Sequence, residues 1–354
     1  MIIKYFDLKD TRVTLIRKKD PLRNPYLLSF GTVSSFDSLY CFIGREPHLY
    51  AGESTELKGY FRTTCDEAQK YTEWCLKQHR RKTASQLLQY LKSQPAGFKQ
   101  AALRTCLESY LSRWDVFFQE KITADVIGVL GGRTKTALAR EMGQLQKDYR
   151  IIKIKCFGEV EKDVQRLEWI QHEVKAGIRL RIDINQAYTL EQAKCFLKKI
   201  SPDNIEHIEQ PLSLRSTEKM RILKTLYPDF KFILDEAFQN GRKAMDVKSG
   251  KFCDGVKLKL MKSGAFSELT STVKEFQGHL NKPIFGNGVQ NFIGALQEVS
   301  WFLRSEIKKH VNPAGEFIGP LKLKYPCGCV GVSNGKMILY PKAIKKHYLN
   351  WMNV

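Results

Sequence analysis

The chain has 354 residues, and its 58 lysines and arginines against 37 aspartates and glutamates leave a formal charge of +21. That length can bury a large core and allows either two domains or one barrel with an attachment. No apolar run nears the roughly 20 residues a bilayer requires, and "MIIKYFDLKD" meets charge too early for a signal peptide, so a soluble, cytoplasmic protein without a membrane partner is expected. Nine scattered cysteines read as reduced thiols, and the pair Cys327 and Cys329 lacks a second pair at zinc spacing. The positive charge favours anionic ligands, yet it is spread along the chain apart from short clusters such as "KQHRRK" at 77–82. With no basic arm, zinc finger or repeated aromatic and basic pattern, no nucleic-acid partner is expected. "GVLGGRTKT" at 128–136 lacks the Gly-Lys-Ser/Thr order of a phosphate loop.

The first 120 residues read as strands at about 2–7, 12–17 and 38–44, followed by helices at 66–78, 83–93 and 97–113, an α+β order. From "ITADVIGVL" onward the character changes. A strand at about 123–129 precedes the helix "TKTALAREMGQLQKDY", then "RIIKIKCFG" precedes "EVEKDVQRLEWIQHEVKAG". The strand in "GIRLRIDINQAY" and the helix "LEQAKCFLKKI" follow. After them come "NIEHIEQPL", a helix at 214–226, "KFILDEAF", a helix at about 239–248, "DGVKLKLMKSG", a further helix and "KPIFGNG". Strand and helix alternating this often predict parallel strands with helical crossovers closed into a (β/α) barrel. The expected division is a cap over 1–120, a barrel over 121–312, and a segment 313–354 that packs back on the cap.

Polar residues close five successive strands. Lys155 ends "KIK", Asp183 ends "RID", Glu209 ends "HIE", Asp235 ends "ILD" and Lys259 ends "KLK", spaced 24 to 28 residues apart. One strand and one helix separate each from the next, so a barrel aims all five at its C-terminal mouth, where such folds keep their active sites. Three neighbouring carboxylates repel one another unless a cation lies among them, and a hard divalent ion such as magnesium, with manganese as an alternative, suits oxygen ligands. Asn185, Gln210 and Glu236 stand beside these acids and are candidates for orienting them. The period of two puts Lys153 on the face of Lys155. A second cation there, with the metal, would lower the Lys155 pKa from about 10.4 toward about 7 and make it a general base, with Lys259 opposite as acid, base or stabilising cation. Metal and lysine together suit removal of the proton α to a carboxylate.

"KIKCFG", "RIDINQAY", "HIEQPL", "ILDEAF" and "VKLKLMKSG" resemble the successive motifs of the enolase superfamily, in its muconate-lactonizing subgroup. "LLSFGTVSSFDSLYCFI" and "YAGESTELKGY" are similar to the subgroup's capping-domain segments. The resemblance implies an α/β fold, a modified (β/α)8-type barrel of (β/α)7β form with an N-terminal α+β capping domain. It further implies Asp183, Glu209 and Asp235 as metal ligands, Lys155 as the base and Lys259 as the opposing lysine. Within the subgroup, "PYLLSFGTVSSFDSL" and "GNGVQNFIGALQEV" are most similar to the o-succinylbenzoate synthases. That implies a magnesium-dependent hydro-lyase of menaquinone biosynthesis acting on a small cyclohexadiene carboxylate. Ser29 in the cap, and Gly286, Asn287 and Gly288 as close backbone contacts or a simple tight turn, are the candidate substrate-binding residues. The alternatives are a dipeptide epimerase or N-acylamino-acid racemase, a cycloisomerase, and a catalytically retired basic barrel that binds nucleic acid.

Overall fold

The computed structural model describes residues 1–28, 31–213, 216–238, 250–277, 282–286, 289–326 and 328–352. Ser29, Asn287, Gly288, Cys327 and the helix expected at 239–248 lie outside the described residues. Four strands, Ile2–Asp7 (β1), Arg12–Leu28 (β2), Gly31–Arg45 (β3) and His48–Glu56 (β4), form an antiparallel sheet in chain order. β2 and β3 run well past the segments their apolar alternation suggested. Their register slips between Pro21 and Tyr26, so the hairpin continues beyond its irregularity and carries Tyr26 toward the mouth of the barrel.

Helices Cys65–Gln78 (α1), Ala84–Lys92 (α2) and Ala101–Leu111 (α3) cover this sheet. Thr64 and Thr83 start α1 and α2 with capping boxes to Glu67 and Gln86, which satisfy backbone donors that would otherwise lack partners. α3 lies so close to β4 that a Cβ on Gly52 would stand 2.0 Å from the Ala102 carbonyl oxygen; only glycine permits that approach.

The barrel begins differently from expectation. The single strand expected at 123–129 is two: Ile122–Asp125 (β5) joins a small antiparallel sheet, and Gly128–Leu130 (β6) opens the parallel one. After β6 come Ile151–Lys155 (β7), Arg179–Asp183 (β8), Ile205–Glu209 (β9), Phe232–Leu234 (β10), Gly255–Leu258 (β11) and Ile284–Phe285 (β12). They form a seven-stranded sheet in unbroken chain order, each described pair parallel. Helices Lys135–Asp148 (α4), Val160–Glu173 (α5), Leu190–Lys199 (α6), Thr217–Leu226 (α7) and Phe266–Glu275 (α9, after the one-turn α8, Leu260–Ser263) make the crossovers. The sheet curls without β6 meeting β12 among the described residues. The gap is spanned by the irregular run 312–318: Asn312 N donates to Pro283 O (2.9 Å), Glu316 N to Phe285 O (3.1 Å) and Gly315 N to Asp125 O (3.2 Å). The protein is thus an α/β fold, a curled parallel half-barrel with an antiparallel cap.

Beyond the barrel, Phe292–Phe302 (α10) and Ser305–Lys308 (α11) lead to Val330–Ser333 (β13) and Lys336–Leu339 (β14), which pair with β5. Pro341–Met352 (α12) then returns to β3, with Tyr348 against Tyr40 and Phe42 at ring separations of 5.1 and 5.5 Å. No described helix is long and apolar enough to cross a membrane. Cys41, Cys65, Cys75, Cys106, Cys156 and Cys253 are buried free thiols.

Candidate active site

Parallel pairing brings the strand-end residues together. Lys155 lies opposite Asp183 and Asp183 opposite Glu209 in the sheet register, and Glu209 lies opposite Ile233, two residues before Asp235. All five side chains read from the sequence are buried, with 0 to 5% of their surface exposed. Lys155 Nζ contacts Asp183 Oδ2 at 2.5 Å and donates to Asn185 Oδ1 at 2.9 Å. Four strands along the sheet, Lys259 Nζ contacts Asp235 Oδ2 at 2.6 Å. Lys153 bridges Asp183 and Glu209, at 2.7 Å from each.

The flanking residues act in different ways. Chain direction breaks after Asp183 and Glu209, with Asn185, Gln186 and Gln210 in left-handed conformations at φ 46°, 66° and 40°, a strain that such sites concentrate. Asn185 therefore does not sit on the strand face by period. It reaches the site through the turn, its backbone N donating to Asp183 Oδ1 (3.2 Å) and its Nδ2 to Glu236 Oε1 (3.2 Å). Gln210 fixes the neighbouring loop rather than an acid, accepting from the backbone of Asp235 (3.1 Å) and Ala237 (3.0 Å). Gly286 is close to two lysine stems: a Cβ there would fall 2.4 Å from Lys257 Cδ and 2.8 Å from Lys259 Cε.

Four residues complete the cluster that the sequence reading did not single out. Lys257, one strand period before Lys259 and fully buried, pairs with Glu209 and with Glu316 (2.7 Å). Glu316, on the closing run, also holds Lys153 at 3.3 Å. Lys262 donates to the carbonyls of Lys257 (2.8 Å) and Asp235 (3.0 Å). Tyr60 comes down from the cap, donating to Asp235 Oδ1 (2.8 Å) and accepting from Lys259 (3.1 Å). Lys257 was readable from the same period that linked Lys153 to Lys155; Glu316 lies in irregular chain and Tyr60 in another layer, so neither had a local signal.

With no metal among the acids, burial alone would lower the Lys155 pKa, but the Asp183 carboxylate outweighs it and the ammonium is held above its ordinary value. Lys259 is likewise raised, burial being overcome chiefly by Asp235. Asp183 is pulled down to about 2, its burial outweighed by Lys153 and Lys155. Glu209 moves up because burial and the adjacent Asp183 charge exceed the pull of its lysines, and Glu236 rises to about 7 through burial and Asp235. In this arrangement the lysines neutralise the acids. Among the described residues no three acids converge on one point to hold an ion as they stand. Even so, the donor set is three oxygen ligands on adjacent strands, and Glu209 Oε1 and Glu236 Oε2 are buried without hydrogen-bond partners. Sealed carboxylate oxygens in a ring of acids fit a divalent, oxygen-preferring cation.

Residues 136–279 match the enolase C-terminal domain-like family. The chain is 28% identical over 126 residues to an L-Ala-D/L-Glu epimerase of Francisella tularensis subsp. novicida, covering 35% of each. It is 31% identical over 144 residues to a D-Ala-D/L-Ala epimerase of Cytophaga hutchinsonii, covering 39% of this chain and 37% of that one. The matched stretches thus span little more than a third of these relatives' lengths. By fold, the chain superimposes on a Cytophaga hutchinsonii dipeptide epimerase solved with Mg and D-Ala-L-Val (TM-score 0.78, 19% identity, 95% and 93% coverage). It does so equally on a muconate lactonizing enzyme of Pseudomonas fluorescens complexed with muconolactone (0.81, 16%, 98% and 99%). The narrower expectation of an o-succinylbenzoate synthase, and with it the hydro-lyase class and menaquinone pathway, is therefore corrected, because the related proteins are named epimerases. The strand-end motifs are those of α-proton removal, a step dehydration and epimerisation share. Residues 136–279 of this chain are thus similar in sequence to the enolase C-terminal domain-like family, and the described residues share the cap-and-barrel fold of the epimerase and muconate lactonizing enzyme structures.

Proposed function

We propose that the protein is a metal-assisted epimerase or racemase that moves the proton on the carbon α to a carboxylate of a small substrate, a dipeptide or an N-acylated amino acid. The observation that carries this reading is the placement of Lys155 on β7 and Lys259 after β11, with the three acids on the strands between them. The names of the relatives support the same chemistry.

Lys155 takes the proton from one face as a neutral amine, and Lys259 returns one from the other, so the centre inverts without loss of a leaving group. A magnesium ion, or manganese, held by Asp183, Glu209 and Asp235 would take over carboxylates that now bind the lysines and stabilise the charge growing on the substrate carboxylate. Lys153 and Lys257 remain with Glu316 as a counterion below the site, and Asn185 keeps the Lys155 Nζ directed. Tyr60 closes the site from the cap and positions Lys259, excluding water from the reacting centre.

The test is incubation with magnesium in heavy water and a panel of dipeptides and N-acylamino acids, followed by NMR. Deuterium should enter at the α-carbon with inversion and no loss of water. Wild-type protein that exchanges no member of either class would overturn the reading.

A further inference from the structure

Among the described residues, Glu209 is the one acid of the strand-end row engaged through a single oxygen. Asp183 Oδ1 accepts from Asn185 N (3.2 Å), and its Oδ2 meets Lys155 (2.5 Å) and Lys153 (2.7 Å). Asp235 Oδ1 accepts from Tyr60 (2.8 Å), and its Oδ2 meets Lys259 (2.6 Å). Glu209 Oε2 takes two ammonium groups, Lys153 at 2.7 Å and Lys257, whereas Oε1 is sealed from solvent and has no hydrogen-bond partner.

Lys257 stands apart from the other lysines of the cluster. Lys153, Lys155 and Lys259 line the cavity at the barrel mouth, and Lys257 does not. It is fully buried, and its stem runs where Gly286 has no side chain, with Cδ 2.4 Å from the place of a Cβ. Its ammonium is shared between Glu209 and Glu316 Oε1 (2.7 Å). Glu316 reaches Lys153 with Oε2 (3.3 Å), and Arg181 lies 4.0 Å from its Oε1. Since Lys153 by itself keeps Glu209 Oε2 occupied, what Lys257 adds is a buried positive charge with a carboxylate matched to it. A fixed charge in a low-dielectric interior acts strongly on a nearby divalent ion, and salt screens it little.

We propose that Lys257 and Glu316 are an affinity-setting pair for a divalent cation at the acid row. Lys257 weakens the hold of Glu209 on the ion, Glu316 offsets that charge, and the free Oε1 is the oxygen that Glu209 gives to the ion. Both act through Glu209, as positioning residues. The inference rests on the metal role proposed for Asp183, Glu209 and Asp235, and not on which substrate is turned over.

The experiment is a calorimetric titration with magnesium alone, on variants first shown by urea unfolding to be folded. Lys257→Met removes the charge and keeps the length, so magnesium should bind about tenfold more tightly or better. Glu316→Gln leaves the Lys257 charge without its match, so magnesium should bind about tenfold more weakly or worse. The double variant should return to within about threefold of wild type, because the two charges cancel. Should Lys257→Met not fold, Lys257→Gln keeps a hydrogen bond to Glu209 and carries the same expectation. A purely structural role would weaken binding in both single variants or in neither, and either result in folded protein overturns the pair. Wild-type protein that binds no magnesium overturns it together with the metal role. Opposite shifts in a protein that exchanges no dipeptide or N-acylamino acid uphold the pair and remove the epimerase reading.

Discussion

Lys155 and Lys259 hold equivalent relations to their acids, 2.5 Å from Asp183 and 2.6 Å from Asp235, but from opposite ends of the acid row. If each serves one face, the single variants differ in stereochemistry rather than in extent. Lys155→Ala and Lys259→Ala should each abolish net inversion, and each should retain α-deuterium exchange for only one enantiomer. Chiral chromatography of the exchanged material checks this, and loss of exchange for both enantiomers in both variants would count against a two-base site. Gly286 gives a second test at this scale. An alanine Cβ cannot occupy space 2.4 Å from Lys257 Cδ and 2.8 Å from Lys259 Cε, so both stems must move. Since a displacement near 1 Å at reacting groups costs on the order of 100-fold, Gly286→Ala should lose at least that factor in kcat with an unchanged far-ultraviolet dichroism spectrum. The strand-end row was legible because the period of two and the strand–helix repeat fix where such side chains must point. Glu316 was not, because an irregular run held by single hydrogen bonds on either side has no period to read.

At the level of elements, the cap shows where sequence patterning stops. Apolar alternation marks the inner parts of β2 and β3, but their extension past Pro21 depends on cross-strand pairing, and the polar run "DPLRNP" conceals it. The substrate reading rested on "PYLLSFGTVSSFDSL" and "GNGVQNFIGALQEV", while the barrel motifs record only the α-proton chemistry that dehydration and epimerisation share. The segment 313–354 was expected on the cap, but no pattern in it named β3 as the strand that α12 meets. Its Tyr348 is fully buried against Tyr40, Phe42 and Trp351, at 4.5 to 5.5 Å between ring centroids. Tyr348→Ala should therefore cost about 3 to 5 kcal/mol of stability in urea unfolding, and a cost below about 1 kcal/mol would mean that α12 contributes little to holding the cap.

For the molecule as a whole, two acids outside the strand-end row set a pH dependence. Glu298 is fully buried on α10, accepting from Leu260 N while its second oxygen has no hydrogen-bond partner, and burial raises its pKa to about 8. Glu53, which joins β4 to the start of α10 through the N–H groups of Asn291 (2.6 Å) and Gly294 (2.7 Å), is raised to about 7, again mainly by burial. Unfolded chain releases both protons near pH 4.5, so folding binds protons between that value and about 8. The stability these groups contribute is complete below about 4.5 and is lost as pH rises through 7 to 8. Glu298→Gln keeps the acceptor for Leu260 and removes the charge, so it should be more stable than wild type at pH 8.5 by on the order of 4 kcal/mol, with the gap closing toward pH 4.5. A gap that does not change with pH would refute the assignment. The closing run 312–318 and the seat of α12 on β3 also order events during synthesis. Lys345 meets Glu46 across 299 residues, and Glu316 is the counterion two buried lysines share. A nascent chain released only as far as β12 has its lysines and acids made but an unclosed wall and a bare cap strand, so synthesis must pass the closing run and α12 before the strand-end cluster is walled in.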